Sequence, residues 1–427
     1  MEQSIIIEES LQEKNKINKN ILKYLGIISI IFIISYVGIR SFNNNYIYNG
    51  KIGENIYIEG INVSGMTIDE AKKSIDNKYI YKPLKIKYED KVFTINSSDI
   101  DFKYNTDEVV KEAYNYNKTN SYFENIKRFI ELKKGNVKQF NILALYNENK
   151  LNNFVESISK EINRDVVNAK LYISDSGAMS KKYSQVGKEV DTSKTIDLIK
   201  QALDKKDFTE VNLVVKEIQP TTSTEMINKV NSVLATHTTN YKTSSEGRAY
   251  NIVKASNSTS DILLMPGEEF SYNSLTGTRS KANGYKEAPV IVNGKLEDGI
   301  GGGVCQVSTT IYNAALYSGL DITQVKNHSL PSTYADMGKD ATVVNGYIDL
   351  KFKNPYDYPI YIKNTIHNGN ITSTIYGSSL NKNNIKIRTE KYQSGDKDIV
   401  KTYRETINSS GNIINTEFIA TSVYKRK

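Results

Sequence analysis

Residues 298–320 read DGIGGGVCQVSTTIYNAALYSGL, a glycine-rich loop that runs into a helical pattern. The glycines before Cys305 permit positive φ angles and the close approach of another backbone. Ser308 and the two threonines after it open a helix whose apolar face carries Tyr312 and Leu316. The thiol of Cys305 is therefore predicted near a helix N-terminus, where the dipole and the free N–H groups favour a thiolate.

Two interpretations of this loop are open. In the first, the thiolate is a nucleophile, and backbone N–H groups of the loop around Gly302, Gly303 and Val304 stabilise an oxyanion on an attacked carbonyl. In the second, Cys305 is a small buried apolar side chain under a tight turn, which is common for a lone cysteine. A base close to the thiol would favour the first interpretation.

A base for the thiol must come from one of three histidines, since the chain has no others. His328 follows Cys305 by twenty-three residues and lies just beyond the predicted helix, in KNHSLPSTYADMGKDATV, so a return of the chain would bring it to the thiol. Asp340 and Asp349 are candidates to orient its ring, and Tyr334 is a candidate lining residue. Each has a structural alternative: a hydrogen bond within the fold for His328, and a turn or strand-end role for the aspartates.

The motifs exclude several other classes of site. No cysteine and histidine share the spacing of a zinc site, so no metal is expected. No Gly-Lys-Ser/Thr follows the glycine-rich loop, which excludes a phosphate-binding loop, and no cofactor is expected. The net charge of +8 is spread along the chain without a run of Lys or Arg interleaved with aromatics, so nucleic acid is not an expected partner.

Composition predicts folded domains without disulfides. A chain of 427 residues with 39% hydrophobic and 10% aromatic residues is long enough for two or three units with real cores. Its single cysteine cannot form an intrachain disulfide, so the folds depend on burial. The expected class is α+β: an N-terminal transmembrane helix, duplicated small α+β repeats, and a mixed α/β domain rich in β-strand.

Residues 21–39, ILKYLGIISIIFIISYVGI, form a nearly uncharged stretch that spans about 28 Å as a helix, close to the thickness of a bilayer core. Lysines cluster before it, and a single arginine follows closely. The positive-inside bias predicts a single-pass anchor with residues 1–20 in the cytoplasm, a linker at 40–52 and the remaining chain outside. The alternative is a cleaved signal peptide, which the lack of a small-x-small cleavage site disfavours.

Two similar runs of strand, cap and helix indicate a duplicated unit over residues 53–220. The parallel stretches are DFKYNTDEVVKEA and GKEVDTSKTIDLI. Pro220, within a short polar run, marks a boundary. Short strands with period-two patterning predict a second domain at 221–380, and a hairpin around Gly411 predicts a C-terminal extension at 381–427.

The order and spacing of four stretches beyond residue 239 resemble the VanW domain. They are EGRAYNIVKASNSTSDILLMPGEEFSYNSLTGTRSKANGYKEAPVI, GGGVCQVSTTIYNAAL, HSLPSTYADMGKDATV and GYIDLKFKN. Residues 53–220 resemble the peptidoglycan-binding repeats that commonly precede VanW domains. The loop around Cys305 is similar in texture to the Ser-His-Gly-Cys-Ile-Arg loop of L,D-transpeptidases of the YkuD type, although the histidine and arginine of that loop are absent here.

The resemblance implies action on peptidoglycan stem peptides, because some VanW members are linked to L,D-transpeptidation. Together with the predicted anchor, it indicates a single-pass protein of a Gram-positive-type cell surface. It implies a Cys305 acyl-enzyme with His328 as base and a 3→3 cross-link as product. Four further side chains are implied to shape the donor site: Arg248, Gln306, Ser308 and Tyr334. A wall-binding module without catalysis and a thiol endopeptidase or carboxypeptidase are the alternatives, and the oligomeric state is open.

Overall fold

The computed structural model describes residues 2–292 and 295–426 as a mixed α+β protein with an apolar N-terminal helix, as the sequence predicts. Met1 and Lys427, the two ends of the predicted division into domains, lie outside the described residues.

The described residues contain the following helices: α1 Glu2–Phe42, α2 Ile68–Lys78, α3 Thr106–Asn115, α4 Tyr122–Lys133, α5 Glu148–Ile162, α6 Thr192–Asp204, α7 Thr224–Asn228, α8 Glu246–Ser258, α9 Tyr272–Thr276 and α10 Val304–Tyr317. The strands up to the middle of the chain are β1 Ile56–Ile58, β2 Ile61–Asn62, β3 Leu84–Tyr88, β4 Lys91–Ile95, β5 Lys103–Tyr104, β6 Lys138–Phe140, β7 Ala144–Leu145, β8 Lys170–Ile173, β9 Met179–Lys182, β10 Gly187–Val190, β11 Val211–Asn212 and β12 Val215–Ile218. The later strands are β13 Ser232–Asn240, β14 Ile262–Leu264, β15 Glu269–Ser271, β16 Glu287–Val292, β17 Lys295–Ile300, β18 Asp321–Gln324, β19 Lys351–Lys353, β20 Ile360–His367, β21 Asn370–Gly377, β22 Asn384–Ser394, β23 Lys397–Ile407 and β24 Ile413–Lys425.

Helix α1 contains the predicted membrane anchor. The stretch Lys16–Ile47 is long and apolar enough to cross a membrane, and it includes residues 21–39. The expected linker at 40–52 is partly helical instead, because α1 continues to Phe42 and a helical turn follows at Asn43–Ile47. The Phe42 ring packs edge-on against Phe129 at a centroid distance of 5.3 Å, which holds this end of the helix.

The described chain forms two compact units. The first contains the residues up to Asn163 together with Glu189–Lys216, and the second contains Arg164–Lys188 and the residues from Glu217 onward. Residues 164–188 therefore belong to the second unit, although the sequence pattern groups them with the repeats over 53–220.

The reason for this assignment is apolar packing of strand β8. Leu171 and Ile173, on one face of β8, are buried in a core that also contains Tyr361 of β20 and Tyr376 of β21. The helices of the two similar runs, α3 and α6, both lie in the first unit but pack in different apolar cores, so repetition of a local pattern does not specify which core each copy joins.

The first unit has two apolar cores. One lies between α2, α3 and the sheet β2-β1-β6, in which β1 and β6 run parallel. The other lies between α5, α6 and the sheet β11-β3-β4. In β3, LKIKY, the apolar residues Leu84 and Ile86 are buried and the lysines that alternate with them are exposed, which is the period-two pattern of a half-buried strand.

The second unit is built around helix α10. The helix packs against β13 and β21 of the antiparallel sheet β13-β21-β20-β14 and against helix α8. Nearly every side chain from Val304 to Leu316 is buried, because polar residues such as Thr310 and Asn313 find partners inside the fold. This burial on all sides fixes the position of the helix start, where Cys305 lies.

The C-terminal region forms a three-stranded antiparallel sheet, β22-β23-β24. The hairpin predicted around Gly411 joins β23 to β24, and β22 is added along the other edge of β23. The extra strand arises because residues 384–394 pair along their whole length with β23.

Candidate active site

Glycines turn the chain into α10 at the position that carries the thiol. Gly301 and Gly303 have φ angles of +86° and +106°, which favour glycine. A Cβ on Gly302 would lie 2.6 and 2.7 Å from two backbone oxygens of β16, and the Gly302 carbonyl accepts a hydrogen bond from Asn251 Nδ2 at 3.0 Å. Gly303 is the N-cap of α10, so Cys305 is the second residue of the helix.

The Cys305 thiol is partly buried and faces the segment at residues 342 and 343. The Val343 N–H donates to Sγ at 3.5 Å, while the Val343 carbonyl oxygen and the Thr342 hydroxyl each lie 3.6 Å from Sγ. These contacts hold the sulfur in one orientation, and the two donors among them stabilise a negative charge on it.

His328 and Asp340 lie beside the thiol and are buried, with 8% and 3% of their surfaces exposed. Asp340 Oδ2 accepts from the His328 backbone N–H at 2.7 Å and lies 2.6 Å from Nδ1. Because an ionised carboxylate only accepts, Nδ1 carries a proton and Nε2 is the ring nitrogen left for the thiol. The thiol and the imidazole lie close enough to shift each other's pKa, so a thiol, an imidazole and a carboxylate are neighbours in space.

The three groups shift one another's protonation. Burial raises the pKa of the Cys305 thiol, but the imidazole, the Val343 N–H and the Thr342 hydroxyl outweigh it, and the pKa lies below that of an ordinary cysteine. Burial lowers the pKa of His328, but hydrogen bonds with Asp340 and Cys305 outweigh it and raise the pKa to about 10. Both directions favour a thiolate–imidazolium pair at neutral pH.

Tyr334 and Arg248 form one wall of the site. The Tyr334 hydroxyl lies 3.4 Å from His328 Nε2, and the Arg248 guanidinium carbon lies 6.0 Å from the centre of the Tyr334 ring. Burial lowers the pKa of Arg248, while Tyr334 and Cys305 oppose that change. The structure thus brings both predicted lining residues to the thiol.

Gln306 and Ser308 point into the fold instead of towards a substrate. Gln306 is 1% exposed; its amide donates to Thr239 Oγ1 at 3.0 Å, and its oxygen accepts from Arg248 Nη2 at 2.8 Å. The Ser308 hydroxyl donates to the Ala341 carbonyl at 2.7 Å. Their contacts hold Arg248 and the 341–343 segment in place, which corrects the expectation that both shape the donor site directly.

Asp349, the second candidate for orienting the imidazole, lies away from it. Its Oδ2 accepts from the Ser271 hydroxyl at 2.6 Å and its Oδ1 from the Asn273 N–H at 2.8 Å. Both carboxylate oxygens therefore hold the start of α9. These contacts leave Asp340, and not Asp349, as the carboxylate bonded to the imidazole.

One of the predicted oxyanion donors, the Val304 N–H, is engaged at the start of the helix. The Val304 N–H donates to the Gly301 carbonyl at 3.3 Å, and the Gln306 N–H donates to the Gly303 carbonyl at 3.0 Å. These two amides are engaged in the turn that starts the helix. The Cys305 amide between them is better placed to hold an oxyanion, since an α-helix offers no internal acceptor to its first four N–H groups.

Tyr424 is a site residue that the sequence did not reveal. It lies in β24, and its hydroxyl donates to Asp340 Oδ1 and accepts from the Gly338 N–H at 2.7 Å. The Lys425 N–H donates to the Ser329 carbonyl at 2.9 Å, next to His328. The C-terminal sheet thus holds both ends of the His328–Asp340 loop, and no local motif marks a tyrosine 84 residues from its partner.

Within the part of the chain that the structure describes, no group of three or more His, Cys, Asp or Glu side chains has the geometry to hold a metal ion. The chemistry of the arrangement is that of an activated thiol next to a buried imidazole and carboxylate.

Comparison with known families matches two parts of the chain. Residues 247–376 match the family described as VanW like protein. The chain contains a VanW-like domain. Residues 93–212 match the family described as "Putative peptidoglycan binding domain". The two matches together relate the chain to the cell wall. Cys305, His328 and Asp340 lie inside the VanW-like domain, and Tyr424 lies beyond it.

Two curated proteins share part of the sequence. The uncharacterized protein YoaR of Bacillus subtilis (strain 168) is 36% identical over 164 residues, which cover 38% of this chain and 54% of that protein. The vancomycin B-type resistance protein VanW of Enterococcus faecalis (strain ATCC 700802 / V583) is 32% identical over 136 residues, covering 31% of this chain and 50% of that protein. The chain thus spans about half the length of these relatives. No solved structure matches it.

Proposed function

We propose that this chain is a peptidoglycan L,D-transpeptidase that works through a Cys305 acyl-enzyme. The observation that carries the proposal is the arrangement of Cys305, His328 and Asp340, in which a partly buried thiol meets an imidazole oriented by a buried carboxylate. A packing cysteine needs no such neighbours, whereas a base and a group that orients it are the neighbours that activate a nucleophilic thiol. The peptidoglycan-binding domain at residues 93–212 supports the choice of substrate.

In the acylation half of the proposed reaction, the thiolate attacks the carbonyl carbon of the third residue of a donor stem. The Cys305 amide and Arg248 face the negative charge that develops on the carbonyl oxygen. The His328 imidazolium gives its Nε2 proton to the amine of the terminal D-alanine, and the C–N bond breaks. The products are free D-alanine and a thioester on Cys305.

In the second half, the side-chain amine of a neighbouring stem attacks the thioester. Neutral His328 takes a proton from that amine, the new C–N bond forms and the C–S bond breaks. The thiolate and the imidazolium are restored, and the two stems are joined 3→3. Asp340 holds Nδ1 throughout, so the ring keeps the tautomer and orientation that both proton transfers require.

The remaining parts of the chain fit work at the outer face of a membrane. We propose that α1 crosses the membrane once with its N-terminus inside, and that the first unit binds the wall and keeps the VanW-like domain near its substrate. The lysines before the apolar stretch give the orientation. Localised substrate raises the effective concentration of stems around the thiol.

The test uses the full-length chain in detergent micelles, mixed with disaccharide-tetrapeptide fragments and followed by mass spectrometry. The wild-type protein is expected to yield a dimer that has lost one D-alanine. Cys305→Ala should reduce this product by at least about a thousandfold, because the nucleophile is removed. Arg164→Gln, an exposed substitution elsewhere in the second unit, is the control and should leave the yield unchanged.

Other outcomes would identify the alternatives. Shortened stems without dimers mean that water resolves the thioester, so the protein is a carboxypeptidase or endopeptidase. Fragments that bind to folded protein and remain intact mean that the chain is a wall-binding module.

A further inference from the structure

Arg279, in the loop between α9 and β16, lies in an unusual setting close to the proposed nucleophile. Its guanidinium carbon lies 5.5 Å from the centre of the Tyr272 ring. Its Cβ and Cγ pack on Gly301, where an added Cβ would meet them at 3.0 and 3.1 Å. Nη1 donates to Asn345 Oδ1 at 3.4 Å, a long bond to a neutral acceptor.

The other nitrogens of Arg279 lack acceptors. Nε and Nη2 are buried and have no hydrogen-bond partner among the residues that the structure describes. Buried donors are almost always paired, and an unpaired group of a charged side chain is costly. The cation over the Tyr272 ring compensates only in part. Two nitrogens of the guanidinium, Nε and Nη2, therefore lack hydrogen-bond acceptors. The two oxygens of a carboxylate match the planar geometry of these donors.

Three contacts locate this guanidinium beside the thiol. Tyr272, under the guanidinium, donates its hydroxyl to the Val304 carbonyl at 2.9 Å, one residue before Cys305. Gly301, against the Arg279 stem, belongs to the loop that leads into Cys305. Asn345 follows Val343, whose N–H contacts Sγ, by two residues.

We propose that Arg279 binds the terminal carboxylate of the donor stem and so selects tetrapeptides with a free C-terminus. The proposal rests on the proposed transpeptidase function. In a tetrapeptide the carboxylate lies one residue, about 3.8 Å, beyond the carbonyl that the thiolate attacks. A pentapeptide carries its carboxylate one residue further away, and an amidated stem carries none.

Arg248, the other arginine near the thiol, is differently engaged. Its Nη1 donates to the Ser244 hydroxyl and its Nη2 to Gln306 Oε1 at 2.8 Å. Arg248 therefore has fewer N–H groups to offer a carboxylate, and its position over Tyr334 puts it on the His328 side of the thiol. The two arginines divide the site, with Arg279 on the side of the leaving group.

The experiment measures binding with the chemistry switched off. Full-length Cys305→Ala protein in detergent is titrated calorimetrically with a disaccharide-tetrapeptide and with the same fragment amidated at its C-terminus. The free acid should bind about tenfold more tightly than the amide, because a charge-assisted pair is lost in the amide. Adding Arg279→Gln should abolish this preference, Arg279→Lys should keep part of it, and Arg164→Gln should keep all of it.

Equal affinities for acid and amide, or a preference that survives Arg279→Gln, overturn the proposal. So does folded protein that binds neither fragment. A second measurement uses the wild-type thiol, alkylated with iodoacetate and with iodoacetamide. Arg279→Gln should lower the ratio of the two rates several-fold by slowing only the anionic reagent, and an unchanged ratio counts against the proposal.

The experiments distinguish the carboxylate site from the transpeptidase function. A protein that never forms cross-links, but whose Cys305→Ala form prefers the free acid through Arg279, retains the carboxylate site and loses the transpeptidase function. A protein that forms cross-links equally well with Arg279→Gln, without discrimination between stems, retains the function and loses the carboxylate site.

Discussion

The two units bury different kinds of polar side chain. Among the described residues of the first unit, the buried polar side chains are uncharged: Thr106, Asn117, Asn125, Ser159 and Thr195. The second unit buries side chains that titrate or carry charge: His328, Asp340, Asp349, Asp398, Arg404 and Glu405. Ion pairs of the first unit range from the exposed Lys150–Asp101 pair, whose side chains are 47% and 53% exposed, to the partly buried Lys206–Glu59 pair at 19% and 17%.

This difference distinguishes a unit whose buried residues serve stability from a unit whose buried residues are suited to chemistry. Burying a charge costs several kcal/mol unless a partner compensates it, and apolar residues of similar size often serve stability equally well. The first unit avoids this cost, because its cores are apolar and the buried polar side chains that the structure describes there are uncharged. The second unit keeps a buried imidazole and carboxylate next to a thiol, an arrangement that stability alone does not require.

The largest expected effect concerns the apolar core of the first unit. Ile86→Ala removes a fully buried side chain from β3 and should lower the stability of the first unit by about 2–5 kcal/mol. Hydrogen exchange of the β3 and α5 amides measures this loss. The alkylation rate of Cys305 should stay the same, because the side chain takes no part in the thiol site.

Lys150→Ala is the matched surface variant. It breaks an exposed ion pair and should cost no more than about 1 kcal/mol. Slower alkylation of Cys305 in Ile86→Ala would show that the division between a structural and a chemical unit is wrong.

The next effect concerns the imidazole. A protonated His328 lowers the pKa of the thiol, so His328→Ala should raise that pKa towards the free value of about 8.5. Alkylation by iodoacetamide at pH 7 should then slow by about tenfold or more, with the midpoint of its pH profile moved upward. The exposed His367→Ala is the control.

The pair formed by Cys305 and His328 also sets the upper pH limit expected for the proposed reaction. Since the pKa of His328 is raised to about 10, the imidazolium that protonates the leaving amine persists up to that pH and is lost above it. Cross-linking should therefore fall on the alkaline side near pH 10. A thiol with an unchanged profile in His328→Ala would remove the histidine from the mechanism while leaving Cys305 in it.

The smallest expected effect concerns Tyr424, whose hydroxyl holds Asp340 from outside the VanW-like domain. Tyr424→Phe removes both hydrogen bonds of the hydroxyl. Loss of the bond to Asp340, worth about 1 kcal/mol, should lower kcat about fivefold. KM for the stem should not change, because the tyrosine positions the carboxylate and does not touch substrate. Tyr392→Phe, at a 44% exposed position of β22, is the control. Equal losses in both variants, or a change confined to KM, would contradict a positioning role.

Most of the candidate site was predictable from local sequence patterns. The glycines before Cys305 and the polar start of α10 predict a thiol at a helix N-terminus, because helix starts and positive φ angles depend on neighbouring residues. The distance of His328 along the chain, just past the end of that helix, was enough to make it a candidate base. Local patterns did not separate Asp340 from Asp349, since both follow turns in the same region of sequence.

The sequence by itself determined the long apolar segment of α1, the mixed α+β class and the turn that presents the only cysteine. These features depend on composition and on contacts within a few residues. Only the tertiary structure decided that Asp340 holds the imidazole, that Tyr424 holds Asp340, and that residues 164–188 join the second unit. Such pairings are made between residues far apart in the chain, and they form because burial forces each polar group to find a partner.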